Sequence, residues 1–147
     1  VPGALPPVGG WAAAGGSLTD PAIWLIFGIV FLWQIPHVMA IAWNCKDDYA
    51  KAGFKMLPKG DNTGIKTSLY SLICILLLIP VSWMVYDLGI SQEIFLTGSL
   101  LLAGMFLFYG IRFVAERNRP NARKLMFASI AYLPLVWVLM VLDQIIL

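Results

Sequence analysis

The chain has 147 residues, 60% hydrophobic and only 12% charged, with a mean hydropathy of +0.82. A soluble domain is about one quarter charged, so the composition sets aside an ordinary soluble protein in favour of a membrane one. The net charge is only +2 and the basic residues form no single patch, which argues against a nucleic-acid partner.

Residues 1–21 hold Pro2, Gly3, Pro6, Pro7, Gly9, Gly10, Gly15, Gly16 and Pro21. This stretch is too broken for an ordinary helix interior but is mostly apolar. It is expected to close an earlier membrane helix and cross to the next. The chain opens without an initiator methionine or a signal-peptide pattern, and the sequence is expected to be part of a longer protein. Trp11 and Trp24 suit either a membrane interface or buried packing.

Residues 22–44 form the first apolar span, long enough to cross about 30 Å of hydrocarbon. Asp20 is placed to cap it, with Pro21 at its first position. Pro36 lies inside and frees the carbonyl of Leu32, which favours a kink. Residues 45–66 form a polar loop whose end, Pro58-Lys59-Gly60-Asp61-Asn62, is a turn signal. Further spans follow at 67–87, 93–114 and 125–147, separated by a turn around Gly89 and by the basic loop 115–124. The third span carries small residues (Gly98, Ser99, Ala103, Gly104, Gly110) that let membrane helices approach closely. Asp143 is expected at the far interface. Cys45 and Cys74 have no metal-ligand or disulfide spacing and suit structural roles. Lysine and arginine concentrate in loops 45–66 and 115–124, which marks those loops as cytoplasmic.

The most informative stretch is WQIPHVMAIAWNCKDDYAKAGFKMLP, residues 33–58. A continuous helix turns about 100° per residue. With His37 at zero, Asn44 falls near roughly −20°, Asp48 near +20° and Gln34 near +60°. Asp47 and Lys46 point elsewhere. The predicted result is a polar stripe with His37 roughly 16 Å deeper than Asp48. Magnesium takes one or two carboxylates, completed by water and substrate phosphates, so Asp48 with Asn44 suits magnesium diphosphate. The same pair also suits a solvated helix end with an ion pair to Lys51. A histidine inside a membrane span usually faces a cavity or a partner, although a satisfied structural histidine fits too. Lys51, Lys55 and Lys59 suit either diphosphate oxygens or interfacial anchoring.

Three segments carry a resemblance: VPGALPPVGGW (1–11), WQIPHVMA (33–40) and KDDYAKAGFKMLP (46–58). In that order they resemble the motifs of the protoheme IX farnesyltransferases, or heme O synthases, within the UbiA superfamily of intramembrane prenyltransferases. The resemblance implies an all-α membrane protein of nine helices around a cavity. This chain would supply the last four transmembrane helices and the end of the fifth. It implies a second aspartate motif ending at Asp48, with Asn44 where the wider superfamily has aspartate, and a first motif upstream of this chain.

The resemblance also implies the chemistry. Magnesium would be held by Asp48 and Asn44 with the diphosphate of farnesyl diphosphate, and Asp48, Asn44 and Asp47 would be the catalytic candidates. Lys46, Lys51, Lys55, His37 and Gln34 would be the substrate-binding residues, with His37 able to contact heme b, the substrate, at either its iron or a propionate. The reaction would yield heme O. The other implied partners are the lipid bilayer of the cell (inner) membrane and a downstream heme-modifying enzyme. The chain alone is expected to be inactive. A prenyltransferase for a quinone or chlorophyll precursor shares the metal motif but is not expected to carry Trp33-Gln34-Ile35-Pro36-His37. A transporter fragment explains the intramembrane histidine but not KDDYAKAG.

Overall fold

The computed structural model describes residues 2–146. Val1, which opens the first motif, and Leu147, which closes the expected last span, lie outside the described residues. The fold is all-helical, as expected.

A short 3-10 turn, Pro2–Ala4, precedes helix α1, Pro6–Ala13. The Pro/Gly-rich opening is therefore more helical than its composition predicts. Pro6 and Pro7 sit in the first turn, where no backbone N–H is required. The helix ends as Gly15 takes φ +83° and the Gly16 N–H reaches back to the Trp11 carbonyl at 2.9 Å, a left-handed glycine stop.

Helix α2 runs Pro21–Asn44 with Pro36 buried inside it. Asp20 caps it, accepting from the Ala22 N–H at 2.9 Å. At Cys45 the backbone leaves helical dihedrals (φ −103°, ψ 17°) and a separate short helix, α3, Lys46–Lys51, begins. The single helix predicted to carry His37 and Asp48 together is thus broken. Positions counted at 100° per residue hold as far as Asn44 and are reset after it.

Helix α4 spans Ile65–Asp87, α5 Glu93–Ala115 and α6 Arg119–Ile146. The expected basic loop 115–124 shrinks to residues 116–118. Pro120 starts α6 rather than ending it, because it lies in the first turn. Asn118 accepts the Asn121 N–H at 2.9 Å as the cap.

Helices α2, α4, α5 and α6 are each long and apolar enough to cross a membrane. They close a ring in which α2 touches α4, α4 touches α5, α5 touches α6 and α6 touches α2. Diagonal partners meet through long side chains, as where Trp43 of α2 meets Phe113 of α5 edge-on at 6.2 Å. Small residues set the close approaches. A Cβ on Gly110 would lie 2.9 Å from Ile75 Cδ1, and Ser99, Ala103, Ala122 and Ala128 are buried at the seams. Outward faces remain apolar, with Leu101 72% and Phe127 58% exposed. Water does not favour such a surface, whereas lipid does.

Although the sequence spreads them over separate stretches, all ten lysines and arginines gather at one end of the ring, where α2 and α5 finish and α4 and α6 start, because the helices alternate in direction. Arg117 Nε bonding the Thr63 carbonyl at 3.0 Å and Arg119 bonding Asp47 tie that end together. The opposite end carries Asp20, Asp87, Glu93 and Asp143.

Candidate functional site

The deepest candidate lies at the α2–α6 seam. Trp33 and His37, one turn apart on α2, stack with ring centroids 4.9 Å apart and planes 15° from parallel. Both reach one buried residue of α6. Trp33 Nε1 donates to the Ser129 carbonyl at 2.6 Å, and His37 Nδ1 lies 2.7 Å from Ser129 Oγ. His37 is half-buried, and its ring is anchored at the Nδ1 edge. Gln34 leaves this cluster. Its Oε1 lies 2.6 Å from where a Cβ on Gly3 would stand. The first and second motifs are therefore in contact, and Gly3 is the residue that allows it.

The charged end divides the remaining candidates. Asn44 closes α2 with its Nδ2 buried and without a hydrogen-bond partner. An orphaned buried donor is costly, and it suits an acceptor such as a phosphate oxygen. Asp48 is exposed on α3 with no ion pair among the described residues. Asp47 is held by Arg119 of α6 in an exposed pair. Lys46 Nζ sits 4.3 Å above the Trp43 ring, a cation–π contact. Lys51 is exposed at the end of α3.

Beside them, the loop after α3 encloses an open cavity of about 430 Å³ lined by Lys46, Tyr49, Phe54, Lys55, Lys59 and Asp61 among others. Asn44, Asp48, Gln34 and His37 are outside that lining. The structure thus joins Lys46, Lys55 and Lys59 in one place and His37 with Trp33 in another. Asp48 belongs to neither group and is exposed. Among the described residues, no group of three histidine, cysteine or carboxylate side chains is arranged to hold a metal.

Sequence reasoning missed two buried aspartates. Asp61 accepts from the Lys66 N–H at 3.1 Å and the Thr67 N–H at 2.7 Å, covering the start of α4. Burial pushes its carboxyl up. Hydrogen bonds from the Thr67 hydroxyl and from the Thr67, Lys66 and Gly64 amides outweigh that, holding it below the ordinary carboxylate value. Asp143, at the end of the ring opposite the lysines and arginines, is fully buried within the protein. It accepts from Ser91 Oγ at 2.7 Å, from the Gln92 N–H, and from the Phe95 N–H at 3.3 Å, covering the start of α5. A carboxylate at a helix N-terminus meets unpaired N–H groups and the positive end of the dipole. The signal available in the sequence was a lone aspartate a few residues from a helix end.

Comparison with known proteins gives the remaining evidence. The chain is 46% identical over 144 residues to a protoheme IX farnesyltransferase of Solibacter usitatus, covering 98% of this chain and 49% of that protein. It is 39% identical to one of Opitutus terrae, covering 98% and 49%. It is 36% identical to a mitochondrial protoheme IX farnesyltransferase of Arabidopsis thaliana, covering 91% and 31%. The chain spans about half the length of the bacterial relatives it matches. No solved structure matches it. Residues 1–133 match the UbiA prenyltransferase family, whose match takes in both the Trp33–His37 clasp and the Asn44–Asp48 turn. With four helices long and apolar enough to cross a membrane, the chain is a multi-pass membrane protein that belongs to the UbiA prenyltransferase family.

Proposed function

We propose that this chain forms one half of a protoheme IX farnesyltransferase, which converts farnesyl diphosphate, heme b and water to heme O and diphosphate. The observation that carries this reading is similarity over almost the whole chain to proteins of that name from widely different organisms. In the reaction, the bond between the allylic carbon and diphosphate breaks. That carbon bonds to the terminal carbon of a heme vinyl group. Water adds its oxygen to the other vinyl carbon and releases a proton.

The residues present fit part of a magnesium diphosphate site. Asp48 supplies a free carboxylate, Asn44 an amide with an unsatisfied donor, and magnesium completes its shell from water and phosphate. When bound, the metal supplies positive charge to the leaving diphosphate. Lys46, Lys55 and Lys59 add charge beside it, and Lys51 lies on the same short helix. Asp47, tied to Arg119, holds α3 against α6 instead of facing a ligand. The stacked, half-buried His37 offers its free edge to heme b. The end that carries every lysine and arginine faces the cytoplasm, with the protein in the cell (inner) membrane.

The experiment is heme O formation by the full-length protein containing this chain, in membranes supplied with heme b and farnesyl diphosphate. Prenylation of a quinone precursor instead, with heme b untouched, overturns the assignment.

A further inference from the structure

The contacts of Ser129 determine which nitrogen of His37 carries the proton. A serine hydroxyl has one hydrogen to give. Ser129 Oγ lies 2.6 Å from the Met126 carbonyl, and a carbonyl oxygen only accepts. The hydroxyl proton therefore goes to Met126, and Ser129 Oγ accepts from its other close neighbour, His37 Nδ1, at 2.7 Å. That nitrogen must bear a hydrogen. In a neutral imidazole the proton is then absent from Nε2, which keeps a lone pair. The second contact with the same residue, from Trp33 Nε1 to the Ser129 carbonyl at 2.6 Å, fixes the indole on which the imidazole is stacked. The ring is thus held by its Nδ1 edge and by one face, and neither restraint uses Nε2.

We propose that Ser129 is a positioning residue. Together with Trp33, it locks His37 in the Nδ1–H tautomer and presents the Nε2 lone pair to an electron-pair acceptor, the iron of the heme substrate. This rests on the reading that the protein binds heme b. It also discriminates within that reading, because a lone pair suits a metal and repels a heme propionate, which itself only accepts. The arrangement is the usual one for a metal-binding histidine, whose second nitrogen donates to a fixed acceptor that orients the ring. Ser129 belongs to α6 and His37 to α2, so the orientation depends on the closing seam of the ring.

The test is titration of the purified full-length protein with heme b, followed by its Soret absorbance, alongside titration with a non-hydrolysable farnesyl diphosphate analogue. His37→Ala is expected to lower heme affinity and shift the Soret band. Ser129→Ala is expected to do the same, by about tenfold in affinity, the order seen when the partner of a ligating histidine is lost. Ser129→Thr keeps the hydroxyl and should retain both affinity and band position. The farnesyl diphosphate analogue should bind all three variants unchanged, which shows that they are folded. If Ser129→Ala leaves affinity and spectrum as they were while His37→Ala changes them, the positioning role is overturned and heme contact by His37 stands. Equal losses in Ser129→Ala and Ser129→Thr also overturn it, because the hydroxyl would then not be the cause. If His37→Ala changes nothing although heme binds, iron ligation by His37 falls too, while the transferase assignment survives. Absence of heme binding by the unaltered protein overturns the assignment itself.

Discussion

At the scale of single residues, function and fold share few side chains. Asp48 is exposed and unpaired, so replacing it disturbs little packing; Asp47 is spent on Arg119. Asp48→Asn is therefore expected to remove most heme O formation, with several kcal/mol of transition-state stabilisation lost, while the protein stays inserted and folded. Asp47→Asn should be milder, since an exposed pair is worth about 1 kcal/mol or less. Equal loss of turnover in both would contradict the division of roles.

Gly64 shows the opposite balance. It takes φ +75°, and a Cβ there would lie 2.6 Å from the Trp43 ring, the same ring that carries Lys46. A rigid indole cannot rotate away as the Gln34 amide can for Gly3. Gly64→Ala is expected to cost at least about 1–2 kcal/mol from the left-handed backbone alone. Thermal unfolding of the detergent-solubilised full-length protein checks this. The residues proposed for the chemistry were legible at this scale because a histidine or a carboxylate is rare in such a composition. Ser129 was not, because a serine inside an apolar span looks like any small packing residue.

At the scale of elements, hydropathy located all four spans, and the errors fall where local contacts override periodicity. The break at Cys45 has no marker in NCKDD, and it coincides with Lys46 settling on Trp43 and Asp47 on Arg119. The early start of α6 was hidden by its charge, since RPNARK reads as a loop until Asn118 is seen to cap it. The aspartate caps were hidden because their partners lie on other segments. The Asp61 carboxyl lies below its ordinary value in the folded state. It therefore contributes stability that is present above the unfolded value and is lost as pH falls through the folded one. The start of α4 should loosen only in strongly acidic solution, below the ordinary carboxylate value. Hydrogen exchange at the Lys66 and Thr67 amides, followed against pH, should show protection falling there, and Asp61→Asn should flatten that dependence.

At the scale of the whole molecule, the ring is stitched at both ends, by Arg117 and Arg119 at one and by Asp143 at the other. Residues 1–147 expressed alone are expected to insert with four spans, because apolar length and the bias of cations to one end suffice. They are expected to form no heme O, since Asp48 and Asn44 do not fix magnesium diphosphate without converging groups from another element. Heme O produced by this chain alone, with the full-length protein as control, would show that the site is complete within it.

The burial of Asp143 has a consequence for how the protein is made. Ser91 and Asp143 are 52 residues apart, so the α4–α5 hairpin leaves the ribosome well before the carboxylate that completes it. Until the final turn of α6 is synthesised, the Ser91 hydroxyl and the Gln92 and Phe95 amides lack their acceptor. The nascent hairpin is provisional until the last turns of α6 pack against it. Asp143→Ala should leave membrane insertion intact yet shorten the protein's lifetime in a pulse-chase experiment, because the start of α5 then keeps its amides without an acceptor.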